Sequence, residues 1–216
     1  MQVGSRTEIG HVRQRNEDAL LVEASAGFFA VADGMGGHPA GDVASAVAIQ
    51  RLRESLAASD GTAAAETIAA ALHEAHAAVL AEAGADASRA GMGTTAVVAV
   101  VLDSLAWVGH VGDSRCYLLP GGGELQPVTA DHGAGGYLTQ ALGLERGVSP
   151  EVAEVPLMAG DRLLLCTDGL TNMVDDGQIA TILRKADDPQ SACDALTDAA
   201  LAAGGVDNVT TVVIEH

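Results

Sequence analysis

The feature that most constrains the fold is the grouping of strand-like and helix-like segments, which cluster and do not alternate. Short aliphatic and β-branched runs between turn residues predict strands, and apolar residues three and four apart predict helices. The predicted strands are 19–23, 28–32, 95–102, 105–111, 116–119, 163–166 and 209–214. The predicted helices are two between residues 41 and 83, one on Ile179, Ile182 and Leu183, and one from Asp188-Pro189 to Gly204-Gly205. This grouping favours an α+β fold with antiparallel sheets over a doubly wound parallel sheet.

The amino-acid composition indicates which residues fill the hydrophobic core of this fold. Hydrophobic residues make up 48% of the chain but aromatic residues only 2%, so Ala, Val, Leu and Ile must fill the interior. The 216 residues suffice for one sizeable core, and we expect residues 1–216 to form a single domain. Two-residue and three-residue turns after positions 102 and 111 predict that residues 95–119 form an antiparallel meander.

The charge balance limits the possible partners. Eleven Lys and Arg against 29 Asp and Glu give a formal charge of −18, which argues against nucleic acid and against an anionic membrane surface. No segment has the pattern of a signal peptide or the length of a membrane span. The three cysteines, Cys116, Cys166 and Cys193, lack C-x-x-C spacing and are interpreted as buried thiols. The sequence therefore predicts a cytoplasmic protein.

Four acids stand where predicted strands begin or end: Asp33, Asp113, Asp168 and Asp207. A single Asp-Gly or Asp-Asn is most often an ordinary turn, but four such acids together weaken that interpretation. Carboxylates that converge at one sheet edge repel each other and need a counter-charge. Oxygen ligands favour hard cations such as Mg²⁺ or Mn²⁺ over zinc, so the pattern predicts a divalent-cation site.

Two further segments bear on the chemistry. Residues 13–18 add the acids Glu17 and Asp18 and two arginines, and arginine is suited to binding phosphate bidentately. The glycine-rich segment 34–41 raises the alternative of a nucleotide-binding loop. That pattern fails because Pro39 stands where G-x-G-x-x-G requires glycine, and no Gly-Lys-Ser/Thr occurs in the chain.

Six motifs together resemble the metal-dependent protein phosphatase family, type 2C, in its bacterial form. They occur in family order, from about residue 13 to residue 211, so the resemblance covers nearly the whole chain. The motifs are Arg13-x-x-Asn16-Glu17-Asp18, Val31-Ala32-Asp33-Gly34-Met35-Gly36-Gly37-His38, Gly93-Thr94-Thr95, Val111-Gly112-Asp113-Ser114-Arg115, Leu165-Cys166-Thr167-Asp168-Gly169 and Asp207-Asn208-Val209-Thr210. The resemblance implies a four-layer α-β-β-α sandwich, with two antiparallel sheets flanked by helix pairs.

The resemblance also assigns roles to single residues. The residues that match metal-site positions of the family are Asp33, Gly34 through its carbonyl, Asp168, Asp207, Asp113, Glu17 and Asp18. Asp33 matches the acid that bridges two cations, Asp113 matches the ligand of a third, weaker site, and Glu17 and Asp18 match acids that hold cation-bound waters. Arg13 matches the arginine that binds the substrate phosphate. Arg13 and Asp33 are thus the expected catalytic residues.

The implied activity is hydrolysis of phosphoserine and phosphothreonine by a hydroxide that bridges two Mg²⁺ or Mn²⁺ ions, without a phosphoenzyme. The implied substrates are phosphoproteins, particularly those of a bacterial Ser/Thr kinase, and we expect a monomer. Ser114 and Thr94 are interpreted as turn and packing residues, and His110 and His132 as structural. Met35 stands where some members of the family carry histidine, so the acid that protonates the leaving group stays open.

One departure from the family pattern concerns the flap beside the active site. The family carries a longer, partly helical segment after Thr129-Ala130-Asp131-His132, whereas here only residues 133–137 make the connection. Such a short glycine-rich link offers little surface for gripping a peptide, so weaker substrate docking is expected near the cleft. The departure also keeps a second hypothesis open, a flapless phosphoprotein-binding or regulatory member with little turnover.

Overall fold

The computed structural model describes residues 1–35, 40–58, 65–134 and 137–216. The longer strands are β1 (Gln2–Glu8), β2 (Asp18–Glu23), β3 (Phe28–Met35), β5 (Ala96–Leu102), β6 (Leu105–Val111), β7 (Arg115–Leu119), β11 (Glu151–Pro156), β12 (Arg162–Cys166) and β13 (Val209–Glu215). Four two-residue strands complete the set: β4 (Gly93–Thr94), β8 (Gln126–Pro127), β9 (Gly133–Ala134) and β10 (Tyr137–Leu138). The helices are α1 (Gly41–Ala58), α2 (Ala65–Ala85), a 3₁₀ turn (Ala87–Arg89), α3 (Asp168–Thr171), α4 (Asp176–Lys185) and α5 (Pro189–Ala202).

The strands form two main antiparallel sheets. One has the order β1-β13-β12-β7-β8, and the other has the order β11-β6-β5-β3-β2, with β4 pairing to β3. The strands at the centre of both sheets are those that the sequence predicts, and helix α5 begins at the predicted Asp188-Pro189, where Asp188 caps the helix through a capping box with Ser191. The α+β class with antiparallel sheets is therefore confirmed.

Side chains alternate between the two faces of each strand, so the core consists of three hydrophobic clusters, one between the sheets and one on the outer face of each sheet. Phe29 and Val31 face the second sheet, where Leu163 and Leu165 meet them, and this cluster fills the space between the sheets. The intervening residues point outward, so that Ala30 packs against α1 and α2, and Leu164 against α4 and α5. Both faces of each central strand are buried, which explains why these strands are continuous apolar runs. With helices on the outer face of each sheet, the order of layers is α-β-β-α.

The predicted meander over residues 95–119 is wrong at its second turn. Strands β5 and β6 pair as expected, but β7 pairs with β12 in the other sheet. The crossing occurs at Gly112, whose φ of 110° is open to glycine and strained for other residues. This change of sheet leaves Asp113 between the two sheets, where it can meet acids from both.

Strands β1 and β11, at sheet edges, were not predicted from the sequence. Strand β1 pairs with β13 over seven residues, and β11 pairs with β6 over six. Edge strands face solvent along much of their length and carry charges that discourage edge-to-edge association, so β1 includes Arg6 and Glu8 and lacks an apolar run. Among the described residues, no helix combines the length and apolar character needed to cross a membrane.

The packing of β1 against α5 gives a test of the unpredicted strand. A Cβ atom added at Gly4 would lie 2.4 Å from backbone atoms of Pro189 and Gln190. We expect Gly4→Ala to lower the free energy of unfolding by about 1–3 kcal/mol, because backbone cannot move aside as a side chain does. Denaturant unfolding measures the change. Gly84→Ala in α2 is the control: among the described residues nothing lies within 4 Å of its Cβ, so it should not lower the free energy of unfolding. A Gly4→Ala variant as stable as the wild-type protein would contradict this packing.

Candidate metal centre

The structure brings the predicted site residues together in one cleft of about 280 Å³. Those that line it are Arg13, Glu17, Asp33, Gly34, Asp113, Asp168 and Asp207. The eighth, Asp18, pairs with Asp33 across β2 and β3. The loop between β1 and β2, the end of β3, the β6–β7 crossing, the start of α3 and the segment before β13 contribute these residues. In an antiparallel sandwich such segments meet at one edge, as the sequence analysis expected.

Hydroxyl groups hold the end of β3 that carries Asp33. The Asp33 backbone N–H donates to Thr95 Oγ1 at 3.0 Å, and Thr94 Oγ1 donates to the Asp33 carbonyl at 2.8 Å. Thr95 Oγ1 in turn lies 2.7 Å from Ser114 Oγ, and both side chains are buried. The interpretation of Thr94 and Ser114 as packing residues is thus incomplete, because Ser114 connects the segment of Asp113 to the segment of Asp33.

A second pair of hydroxyls fixes Asp18. Thr210 Oγ1 donates to Asp18 Oδ2 at 2.6 Å and Thr167 Oγ1 donates to it at 2.9 Å. Thr210 lies in β13 of the five-stranded sheet and Thr167 directly follows β12 of that sheet, whereas Asp18 begins β2 of the other sheet. The bonds therefore join the two sheets at the floor of the site, and within the described part of the chain Asp18 Oδ1 has no donor.

Arg13 and Asp207 form an ion pair at the rim, with 2.6 Å between Arg13 Nη2 and Asp207 Oδ2. The hydrogen bond to Asp207 raises the pKa of the Arg13 guanidinium above its usual value. Asp168 accepts a hydrogen bond from Asn172 Nδ2 at 3.0 Å through Oδ2, and its other oxygen is buried. Arg13 is the one cationic side chain among the described residues that line the cleft, against five carboxyls.

Burial and mutual repulsion both disfavour the ionised carboxyls. Desolvation raises the pKa of Asp18 to about 7 and that of Asp113 to about 6, and in both cases the charge of Asp168 adds to the shift. Desolvation, followed by the charges of Asp18 and Asp168, raises the pKa of Asp33 well above its ordinary range. The pKa of Asp168 is raised too, mainly by burial. The protein by itself does not stabilise these acids as anions.

The donor set fits a hard divalent cation. Asp18 Oδ1 and Asp168 Oδ1 are buried oxygens that receive no hydrogen bond from any of the described residues, and a cation would satisfy such groups. Carboxylate and carbonyl oxygens are the ligands that Mg²⁺ and Mn²⁺ prefer. A Cβ atom at Gly34 would lie 2.1 Å from the Gly41 carbonyl and 2.5 Å from that of Glu17, so only glycine allows its backbone to enter the site here.

Two histidines and one glutamate form a separate group of side chains, which their spacing in the sequence did not reveal. His110 and His132 stack with ring centroids 4.4 Å apart, and Glu151 lies beside them. His132 Nδ1 accepts the Gly112 N–H at 3.2 Å, which places the proton of the neutral ring on Nε2. A metal bound to Nε2 would require this proton on Nδ1, where the Gly112 N–H already donates, so the hydrogen bond favours the structural interpretation of His132.

Strands β9 and β10 form an antiparallel pair in the segment where the sequence predicts a shortened flap. Leu138 pairs with Gly133, and its side chain lines the cleft, while Tyr137 is 81% exposed. Sequence reasoning did not assign Leu138 to the site. Residues 135–136 of this connection and residues 36–39, with His38, lie outside the described residues.

A sequence profile of the family protein phosphatase 2C matches residues 8–201. The serine/threonine phosphatase stp of Listeria innocua is 33% identical, over 100% of this chain and 96% of that protein. The crystal structure of the Mycobacterium tuberculosis serine/threonine phosphatase PstP/Ppp has a TM-score of 0.89 and 34% identity, covering 100% of this chain and 99% of the other. The PstP catalytic domain in complex with two manganese ions has a TM-score of 0.90 and 33% identity, covering 99% and 97%.

The sandwich with acids at one edge therefore has the architecture of solved serine/threonine phosphatases, and this is the class of protein that the fold and the cleft define. The chain belongs to the protein phosphatase 2C family. The resemblance carried by the six motifs is confirmed, in the bacterial form, and so is the four-layer α+β architecture that it implied.

The raised pKa values predict how the metal-free protein responds to pH. In the unfolded chain an aspartate releases its proton near pH ~4, whereas folded Asp18 holds it to about pH 7. The folded state therefore binds more protons between these values, and its stability falls as pH rises through this window. In chelator, we expect the free energy of unfolding to drop from pH 5 to pH 7, and Mn²⁺ at pH 7 to restore it.

Asp18→Asn removes one of these titrating groups and should make the profile less steep. The matched control is Asp103→Asn. Asp103 is exposed in the turn between β5 and β6, at the end of these two strands that lies away from the cleft. Thermal unfolding at several pH values, with and without chelator, makes the comparison. An equally steep profile in Asp18→Asn and in the wild-type protein would contradict the electrostatic account.

Proposed function

We propose that this chain is a metal-dependent protein serine/threonine phosphatase that hydrolyses phosphoserine and phosphothreonine. The observation that carries the proposal is the convergence of five carboxyls and Arg13 on one cleft, in a member of the protein phosphatase 2C family. Relatives of similar length are named serine/threonine phosphatases at about one-third identity, which supports the same activity here. Turnover is therefore favoured over the alternative of a phosphoprotein-binding member.

The metal-binding roles are also proposals. Asp33, the Gly34 carbonyl, Asp168 and Asp207 would hold two Mg²⁺ or Mn²⁺ ions, and a third ion would use Asp113. The two buried oxygens without donors and the raised pKa values of Asp33 and Asp168 support this assignment. Two manganese ions in the related PstP structure support the number and the kind of cation. Glu17 and Asp18 would surround the ions and hold their waters.

The reaction breaks the bond between phosphorus and the serine or threonine oxygen and forms a bond from phosphorus to a water oxygen. Bound divalent cations supply positive charge to the phosphate and activate water. Arg13 would bind the non-bridging phosphate oxygens through its forked N–H donors. Its side chain is 52% exposed and lies at the rim of the cleft, where an incoming phosphate can reach it.

Substrate docking is proposed to be weak near the cleft because the flap is reduced to residues 133–137. The alignment with the Listeria innocua phosphatase runs over 242 positions, but this chain has 216 residues, so that relative carries at least 26 residues without a counterpart here. Such a difference supports a shortened segment. Phosphoproteins, in particular those of a bacterial Ser/Thr kinase, would then be selected mainly by contacts outside the flap.

Three further expectations accompany this function. We propose that residues 1–216 form one catalytic domain, which the family match over residues 8–201 supports. A reducing, cytoplasmic location is supported by the thiols of Cys116, Cys166 and Cys193, which are all buried and unpaired. The protein is proposed to act as a monomer, without nucleic acid or membrane partners, and its formal charge of −18 supports the absence of polyanionic partners.

Asp33→Asn tests the proposed function. With p-nitrophenyl phosphate or a phosphothreonine peptide as substrate, Mn²⁺ should give activity that chelator removes. The substitution should lower kcat by about a hundredfold or more, because it removes a charge that holds the cations at the phosphate. Asp103→Asn should keep wild-type activity. A wild-type protein that binds the phosphopeptide without hydrolysing it would contradict the proposal and support the regulatory alternative.

A further inference from the structure

Asn208 follows Asp207 at the start of β13 and reaches across to the loop between β1 and β2. We infer that Asn208 is a positioning residue that fixes the loop of residues 9–17, and with it the phosphate-binding Arg13; this inference rests on the proposed function. The sequence motif Asp207-Asn208 points to Asp207 as the metal ligand and leaves the asparagine without a role. The structure supplies that role through the side-chain amide.

Three hydrogen bonds join the Asn208 side chain to the loop backbone. Its Oδ1 accepts the Glu17 N–H at 2.8 Å, and its Nδ2 donates to the carbonyls of Ile9 and Arg15, each at 2.9 Å. The residue is 5% exposed, so these bonds are shielded from competing water. Three loop positions are thereby tied to one side chain that lies almost 200 residues further along the chain.

The positions of these bonds show what they fix. Ile9 and Arg15 lie on either side of Arg13 in the sequence. Residues 9–15, called the arch from here on, are therefore attached at both ends to the same amide group. The backbone N–H of Asn208 also donates to Asp207 Oδ1 at 2.8 Å, and Asp207 Oδ2 receives the Arg13 guanidinium. Asn208 thus holds the arch through its side chain and orients the Asp207 carboxylate through its backbone N–H.

Only an amide of this length meets all three demands. The group must donate two N–H bonds and accept one, which a carboxylate, an alkyl group or a single hydroxyl cannot do. Without these bonds the arch would sample other conformations, and Arg13 would be displaced from its position beside Asp207. Loss of position at a phosphate-binding group weakens substrate binding even when the reacting groups are intact.

The test is a double-mutant cycle of Asn208→Ala with Arg13→Ala. With p-nitrophenyl phosphate and saturating Mn²⁺, Asn208→Ala should raise KM about tenfold and change kcat less than about threefold. In the Arg13→Ala background the same substitution should raise KM no further, since the group that it positions is gone. Independent, multiplying effects on KM, or an unchanged KM, would overturn the inference.

Gln190→Ala is the matched control for the loss of an amide. Gln190 also joins distant backbone, since its Oε1 accepts the Ser5 N–H and its Nε2 donates to the Ser5 carbonyl, each at 3.2 Å, outside the cleft. This control should leave KM unchanged. Hydrogen exchange gives a readout besides activity: Asn208→Ala should speed exchange of the amides in residues 9–17, whereas Gln190→Ala should not. Equal exchange there in both variants would overturn the inference.

The outcomes separate this inference from the proposed function. A wild-type protein without Mn²⁺-dependent turnover overturns the proposed function itself. An active wild-type protein in which Arg13→Ala raises KM while Asn208→Ala acts independently overturns only the role of Asn208. If Asn208→Ala does not unfold cooperatively, Asn208→Ser takes its place in the cycle and is interpreted by the same two criteria.

Discussion

Repulsion among buried carboxylates is the constraint on which the site depends. Asp18, Asp33 and Asp168 belong to different segments but meet at one edge of the sandwich, where burial raises the pKa of each and the charge of a neighbouring acid adds to the shift. A chain selected for stability alone would replace these acids by neutral residues. Their presence together is explained if cations offset the repulsion, and the substrate phosphate can then contact the cations and Arg13 in a protein of formal charge −18.

The scaffold holds these acids through polar groups buried between and beside the sheets. Thr210 of one sheet and Thr167, which follows a strand of that sheet, bond to Asp18 of the other sheet. Thr95 and Ser114 hold the β3 end, and Asn208 holds the β1–β2 loop. Each of these bonds joins segments that are distant in sequence. A site assembled in this way keeps its geometry as long as the two sheets stay packed, which the aliphatic layer between them ensures.

Periodicity predicted the centre of each sheet because strands buried on both faces are continuous apolar runs. It failed for β1 and β11, whose edge positions permit polar residues, and at Gly112, where the chain changes sheet although the sequence is that of a simple turn. The acids of the site were predicted because four of them follow or precede strands. Asn208 and Thr167 were not assigned, since an amide or hydroxyl that bonds to a distant residue leaves no local pattern in the sequence. Leu138 was not assigned because a single leucine beside a cleft looks like any other apolar residue.

The most direct test of the metal centre is anomalous scattering at the manganese edge from crystals grown with Mn²⁺. The account predicts two strong peaks within bonding distance of Asp33, Asp168 and Asp207, and a weaker one at Asp113. Such a map counts the bound ions and identifies their ligands without reference to activity. A map with no peak at Asp33, whatever else it contained, would contradict the central claim that this cluster of acids exists to bind divalent cations.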